Sequence, residues 1–372
     1  MTTVERRPNK LALLVVAVAL VAGGIAWVAS RSSDDQQTVP STTVAASSST
    51  TTRAPASTTP TTATSTTVAP VVLSLALPSA AGVVLFAHTA DPNAIVRVEI
   101  DRGRVVTTPI GSVLSTAPAF LAVGPSVAVV RPYDNVAGYV VADSGTVSAP
   151  PGLLDDGAFM ACSDGRRDRL WLAGDSLLQV DYSGSLKAEI SNREQRPSAF
   201  GCDGAGEMLY RSGTSTFVTG DGPPTLVTSN TVVAAGPRTF LVNDCAATVA
   251  CALTVIDRPT GERRSLTLDA SAAIPQRLPT AGQGRVGSIS PDGRTAALFR
   301  TTREAVFVDL VPGIGQGVSS ILGEFQSFAW STDSRYLFYI GGGYQLHVFD
   351  RETRGLVPIG VNNVRALASR PS

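Results

Sequence analysis

The chain has 372 residues, with thirty basic and thirty acidic side chains and therefore no net formal charge. That length accommodates one large or two ordinary domains, and the charge balance excludes a nucleic-acid binder, which needs a basic excess or stripe. Only Lys10 and Lys187 are lysines. The arginine-rich usage, in a chain rich in Ala, Val, Gly and Thr, reads as the coding bias of a GC-rich genome.

Residues 1–10 carry Arg6, Arg7 and Lys10, and residues 11–29 (LALLVVAVALVAGGIAWVA) form an unbroken apolar run. At about 1.5 Å rise per residue, a helix of that length reaches across a hydrocarbon core of about 30 Å. Arg31, Asp34 and Asp35 follow, so the positive-inside bias predicts a cytoplasmic N-terminus, a single-pass anchor and an extracytoplasmic remainder in the cell membrane. A cleaved signal peptide is the alternative. It fits less well, because such apolar regions span only about 7 to 15 residues and Trp27 is awkward beside a cleavage point. About half of residues 30–70 are Ser or Thr, most of the rest Pro and Ala. Such a segment buries too little apolar surface to offset its chain entropy and is predicted to be a disordered stalk, bare or O-glycosylated.

From residue 71 to 372 the texture changes to short runs of Val, Leu, Ile, Phe and Tyr, interrupted by Gly, Asp, Asn and Pro. That is an all-β pattern. Aligning the ends of the leading strands gives Val123, Cys162, Cys202, Ala235, Ser290, Ser331 and Ala368, about forty-one residues apart on average. The long gap before Ser290 holds an insertion at 269–285. Each unit continues through a second and a third strand to an Asp/Gly turn: 101–103, 143–145, 181–184, 257–261 and 350–355. Asp caps such turns and Gly supplies their positive φ. The first unit lacks a leading strand, while residues 364–369 (VRALAS) have nothing after them. The prediction is a β-propeller of seven four-stranded blades closed by the C-terminal strand, which removes the open sheet edge. Six or eight blades follow if the divergent middle is divided differently.

Residues 290–299 (SPDGRTAALF) and 330–339 (WSTDSRYLFY) resemble the W-S-P-D-G-[RK] element of TolB-type, WD40-like propeller repeats. The second copy has Thr332 for Pro and Ser334 for Gly. The layout of anchor, stalk and propeller resembles membrane-anchored actinobacterial propeller proteins of unassigned role. The resemblance implies a fold and protein-binding work, and transfers no catalytic residue.

In an exported chain four cysteines suggest two disulfides. Cys245 and Cys251 flank a hairpin loop that would bring their Cα atoms within the roughly 4.4 to 6.8 Å a disulfide needs, and are expected to bond to each other; Cys162 and Cys202 occupy equivalent positions in successive units, where they either bond or stay separate buried thiols. His88 and His347 have no Cys, Asp or Glu at ligand spacing, so no metal site, no cofactor and no catalytic residue is assigned. The leading functional class is an extracytoplasmic scaffold holding a protein or cell-wall component. Its expected surface lies at the end carrying the inter-blade connections, with Tyr133, Asp134, Tyr344 and, from the insertion, Arg277 and Arg285. The alternatives are a hydrolase or lactonase with a central-channel site, and a purely structural envelope element.

Overall fold

The computed structural model describes residues 71–72, 81–111, 118–132, 138–155, 157–191, 197–244, 252–266, 286–301, 304–311, 319–322 and 327–372. All of them belong to the unit Thr61–Ser372. The expected membrane span and stalk lie outside the described residues. Among the described residues no helix is long and apolar enough to cross a membrane.

The fold is all-β and propeller-like. Its unit is a four-stranded antiparallel meander, a blade, as in Pro118–Val123, Val127–Pro132, Tyr139–Ala142 and Val147–Ser148, which pair in chain order. The same order recurs over residues 160–190, 198–228 and 328–358. An eight-stranded sheet holds two further meanders, over 231–266 and 287–322, joined where Ala234 and Ala235 pair in parallel with Gly287 and Ser288. Second strands are buried on both faces because a neighbouring sheet covers each side: Ala128, Val129 and Val130 are all fully buried. Fourth strands are the exposed ones, and Leu186, Leu226 and Leu356 on them are 49%, 59% and 49% exposed.

In the first blade the leading strand comes from the other end of the chain. Val364–Pro371 runs antiparallel to Val83–Ala90, from Val83 opposite Pro371 to Thr89 opposite Val364. Asn93–Glu99 and Arg104–Pro109 follow outward, and Val71–Val72 adds a fifth, outermost strand against Val105 and Arg104. Sequence reasoning missed that last pairing.

In two blades the first turn is tied by a Ser-x-Asp sequence. Ser290 Oγ donates to Asp292 Oδ1 at 2.6 Å and accepts from the Thr295 N–H at 3.0 Å. Ser331 does the same with Asp333 and with the Tyr336 N–H. Gly293 holds φ +74°, and Ser334, its counterpart, holds φ +66° despite its Cβ. The Ser334 hydroxyl accepts the Asp292 N–H of the preceding blade at 2.9 Å, a bond that offsets the strain and that glycine lacks. The third turn behaves as expected at Asp181 and Asp257, whose carboxylates accept backbone N–H groups within their own turns. Asp101 instead accepts from Gly82 across the blade, and in the turn at 350–355 the left-handed residue is Arg354, with φ 55°, rather than Gly355.

Neighbouring blades are latched at this end of the sheets. The residue after the third-turn Asp reaches the first turn of the preceding blade: Tyr182 lies against Gly124, Arg258 pairs with Asp203, and Arg351 pairs with Asp292 at 2.8 Å. A Cβ on Gly124 would come within 2.5 Å of the Tyr182 ring, so only glycine admits it. Asp203 is fully buried, and burial pushes its carboxyl above the ordinary range against the pull of Arg258 and of the Ala205 and Glu207 N–H groups. Glu207 beside it accepts from Trp171 Nε1 at 2.9 Å, Thr219 Oγ1 at 3.0 Å and Arg167 at 3.0 Å. Toward the axis, Cys162 and Cys202 form a disulfide between the leading strands of the same two blades. Cys245 and Cys251 lie outside the described residues; the strands on either side of them, Thr239–Asp244 and Ala252–Asp257, do pair, with Asp244 opposite Ala252.

Two outcomes follow. Arg258→Met leaves Asp203 buried without its cation, and the urea midpoint should fall by an amount equivalent to about 3 kcal/mol, with part recovered by adding Asp203→Asn. An unshifted midpoint in the single variant would show that the latch carries no weight. The second concerns the closing seam, where His88 is fully buried and its Nε2–H donates to Asn93 Oδ1 at 3.0 Å. Burial, helped by the Arg365 charge and opposed by Asn93, holds the imidazole below its ordinary 6.5. Between that depressed value and 6.5 the unfolded chain binds the extra proton, so the contribution is complete above 6.5 and is lost as pH falls through the window. His88→Gln should flatten the decline of melting temperature on acidification from about pH 7 to about pH 5. Parallel declines in the two proteins would refute this role for His88.

Candidate binding site

A half-open cavity of about 890 Å³ lies at the end of the sheets that carries the first and third turns. The first blade contributes Arg97, Glu99, Asp101, Arg102, Arg104 and Arg370; Pro125, Asp143 and Ser144 come from the second blade, and Gly165 and Arg166 from the third. Five arginines and three acidic side chains thus line one concavity, together with the terminal residue Ser372.

The wall is an alternating chain of charges. Arg97, on the third strand of the first blade, reaches Glu99 Oε1 at 3.1 Å and Asp143 Oδ1 at 3.4 Å, and donates to the Asp143 carbonyl at 3.0 Å. Arg370, from the closing strand, pairs with the other Asp143 oxygen and donates to the carbonyls of Gly124 and Pro125 at 3.1 and 2.7 Å. Its guanidinium also lies 5.0 Å from the centre of the Phe86 ring. Asp143 is therefore held between two guanidinium groups of the neighbouring blade. Glu99 is shared between Arg97 and Arg102, the latter at 3.4 Å with a side chain 77% exposed. Gly165 brings the third blade into this arrangement: a Cβ there would come within 2.2 Å of Arg370 Cβ, and its φ is +71°.

Arg104 and Arg166 are exposed and make no ion pair among the described residues. Beside the cavity Asp164 caps the first turn of the third blade, accepting from the Arg166 and Arg167 N–H groups at 2.9 and 3.0 Å. Burial alone would raise its carboxyl, but those N–H groups and the Arg167 guanidinium outweigh burial and hold it below the ordinary range. Chemically the arrangement is a salt-bridged wall whose marginal guanidinium groups, Arg104 and Arg166, have no ion-pair partner among the described residues.

Of the residues expected from sequence to form a binding surface, Tyr133, Asp134, Arg277 and Arg285 lie outside the described residues. Tyr344 is half-buried, and Arg365 stacks on its ring at 3.6 Å. It belongs to the turn between the second and third strands of its blade, at the end opposite the cavity, so the structure does not bring it to these arginines. Sequence reasoning missed Arg97, Arg104, Arg166 and Arg370. The available signal was Arg97, a charge inside the apolar strand Asn93–Glu99. Asp143 was noticed only as a turn residue. His347 stacks on Tyr339 at 5.6 Å, and burial keeps its imidazole below the ordinary value. Among the described residues no group of three or more His, Cys, Asp and Glu could hold a metal ion.

No family model and no curated protein matches the chain. Among solved structures it is similar to a streptogramin B lyase, at 12% identity over 66% of this chain and 84% of that one, with a TM-score of 0.42. TolB from Acinetobacter baumannii is 13% identical over 78% and 66% of the two chains, with a TM-score of 0.40. A functionally unknown protein from Desulfotomaculum acetoxidans is 10% identical over 78% and 99%, at 0.44. At these identities and TM-scores the likenesses carry no argument about activity, and the propeller-like fold rests on the strand pairing described above.

Proposed function

We propose that this chain is a membrane-tethered, extracytoplasmic propeller that acts as a scaffold, holding a protein or envelope component in the cavity of its first three blades. The observation that carries the reading is the character of that cavity: open, walled by paired charges from three blades, with cationic side chains at its margin. A small-molecule site is usually enclosed and mostly apolar, whereas a protein-binding surface has a polar rim in which arginine is enriched. The apolar run at 11–29 with basic residues before it supports tethering and export, and a disulfide between Cys162 and Cys202 accords with an oxidising compartment. The two meanders within the eight-stranded sheet, taken as two blades, support a reading of seven four-stranded blades. The alternative is an exported propeller hydrolase or lactonase working at the central channel.

The test is crosslinking and pull-down from intact cells with three proteins: the full chain, Arg104→Glu with Arg166→Glu, and a chain whose residues 270–284 are replaced by a Gly-Ser linker. The expected result is a specific extracytoplasmic partner that is lost with the charge reversal and kept with the linker. Loss only with the linker would move the binding surface to the insertion. Turnover of a sugar or lactone by the purified protein, without specific capture, would replace the scaffold reading with the enzymatic one.

A further inference from the structure

We infer that the occupant of this cavity is an acidic peptide segment, whose carboxylates meet Arg102, Arg104 and Arg166; this rests on the scaffold reading and narrows it to one chemistry. The lining holds five guanidinium groups against three acidic side chains, and they are unequally used. Arg97 and Arg370 are committed to Glu99 and Asp143 and to backbone carbonyls. Arg102 shares Glu99 at 3.4 Å and is mostly exposed, while Arg104 and Arg166 have no ion-pair partner among the described residues. Guanidinium groups favour planar, bidentate acceptors, and a carboxylate is one.

Two further observations shape the ligand. Glu99, Asp101 and Asp143 are interspersed among the arginines, so a uniformly charged polyanion laid along the cavity meets repulsion at each. A peptide can instead set neutral or donor groups against those carboxylates and place its acids opposite the arginines. The backbones of Arg104 and Val105 are already paired with Val72 and Val71, so strand addition beside Arg104 is blocked and recognition there falls to side chains. That is the Arg-cluster mode of reading acidic motifs rather than β-augmentation.

The experiment uses the full chain in detergent and a fluorescein-labelled peptide of alternating Glu and Gly, followed by anisotropy. The peptide should bind, and its Gln analogue should bind at least about tenfold more weakly, with affinity falling as salt rises. Arg104→Glu with Arg166→Glu should abolish binding at an unchanged melting temperature, and Arg104→Lys with Arg166→Lys should keep most of it. Tyr344→Ala, at the other end of the sheets, should have no effect. Equal binding of the Glu and Gln peptides overturns the inference, as does polyphosphate binding more tightly than the Glu peptide. If the pull-down partner is still lost on charge reversal while the Glu peptide fails to bind, the scaffold reading stands and the acidic-peptide inference falls. If neither partner nor peptide is held, both fall.

Discussion

The fold depends on a latch at one end of its sheets, where three blades are pinned by the residue that follows an aspartate in the next. Tyr182, Arg258 and Arg351 occupy that position in three different blades and meet, respectively, a bare glycine, a buried carboxylate and a half-buried one. At Arg258 and Arg351, and at the equivalent Leu310, the backbone fixes the geometry. The N–H of Arg258 donates to the Arg238 carbonyl at 2.9 Å, that of Leu310 to Arg294 at 2.7 Å and that of Arg351 to Arg335 at 3.0 Å. Each aims its side chain past its own first turn toward the neighbouring blade. Where that side chain is cationic, the neighbour must supply an anion already held by backbone N–H groups, as Asp203 is. A buried charge without such partners would cost several kcal/mol.

Closer to the axis the leading strands use three different ties. Cys162 and Cys202 bond covalently, with Cα atoms 5.5 Å apart. Ala234 and Ala235 hydrogen-bond directly to the strand at Gly287, without an intervening side chain. In the first blade a strand from the end of the chain completes a sheet begun near residue 83, and every position from Val83 to Thr89 has a partner on it. Each tie removes freedom that a ring of separate sheets would otherwise retain, and each joins residues distant in sequence, so their loop-closure cost falls on folding as a whole.

How much of this was legible in the sequence follows from how local each feature is. Leading-strand ends at Val123, Cys162, Cys202 and Ala235 coincide with strands Pro118–Val123, Met160–Cys162, Ser198–Cys202 and Thr231–Ala235, because alternation and turn residues are written within a few positions. Ser334 illustrates the limit: it reads as a departure from a motif, and its reason, a bond to Asp292, lies 42 residues away in another blade. The cavity is less legible still. Arg370 and Asp143 are 227 residues apart, and nothing near either one signals the other. Val71–Val72 is too short to show alternation, and its pairing is decided by where Arg104 and Val105 already lie.

The cavity is placed where the ring closes, which ties its electrostatics to the fold. Arg370 sits on the closing strand, Asp143 on the second blade and Gly165 on the third, so the contacts that shape the wall also hold the seam. Two guanidinium groups on one carboxylate would repel each other if Asp143 were removed. With it in place they neutralise the wall and leave the unpaired charge outward, on Arg104 and Arg166. Those two arginines belong to the first and the third blade, so an anion held by both adds a bridge across the second. A ligand that touched both would favour the closed ring over an opened form, and by linkage its occupancy would then stabilise the seam.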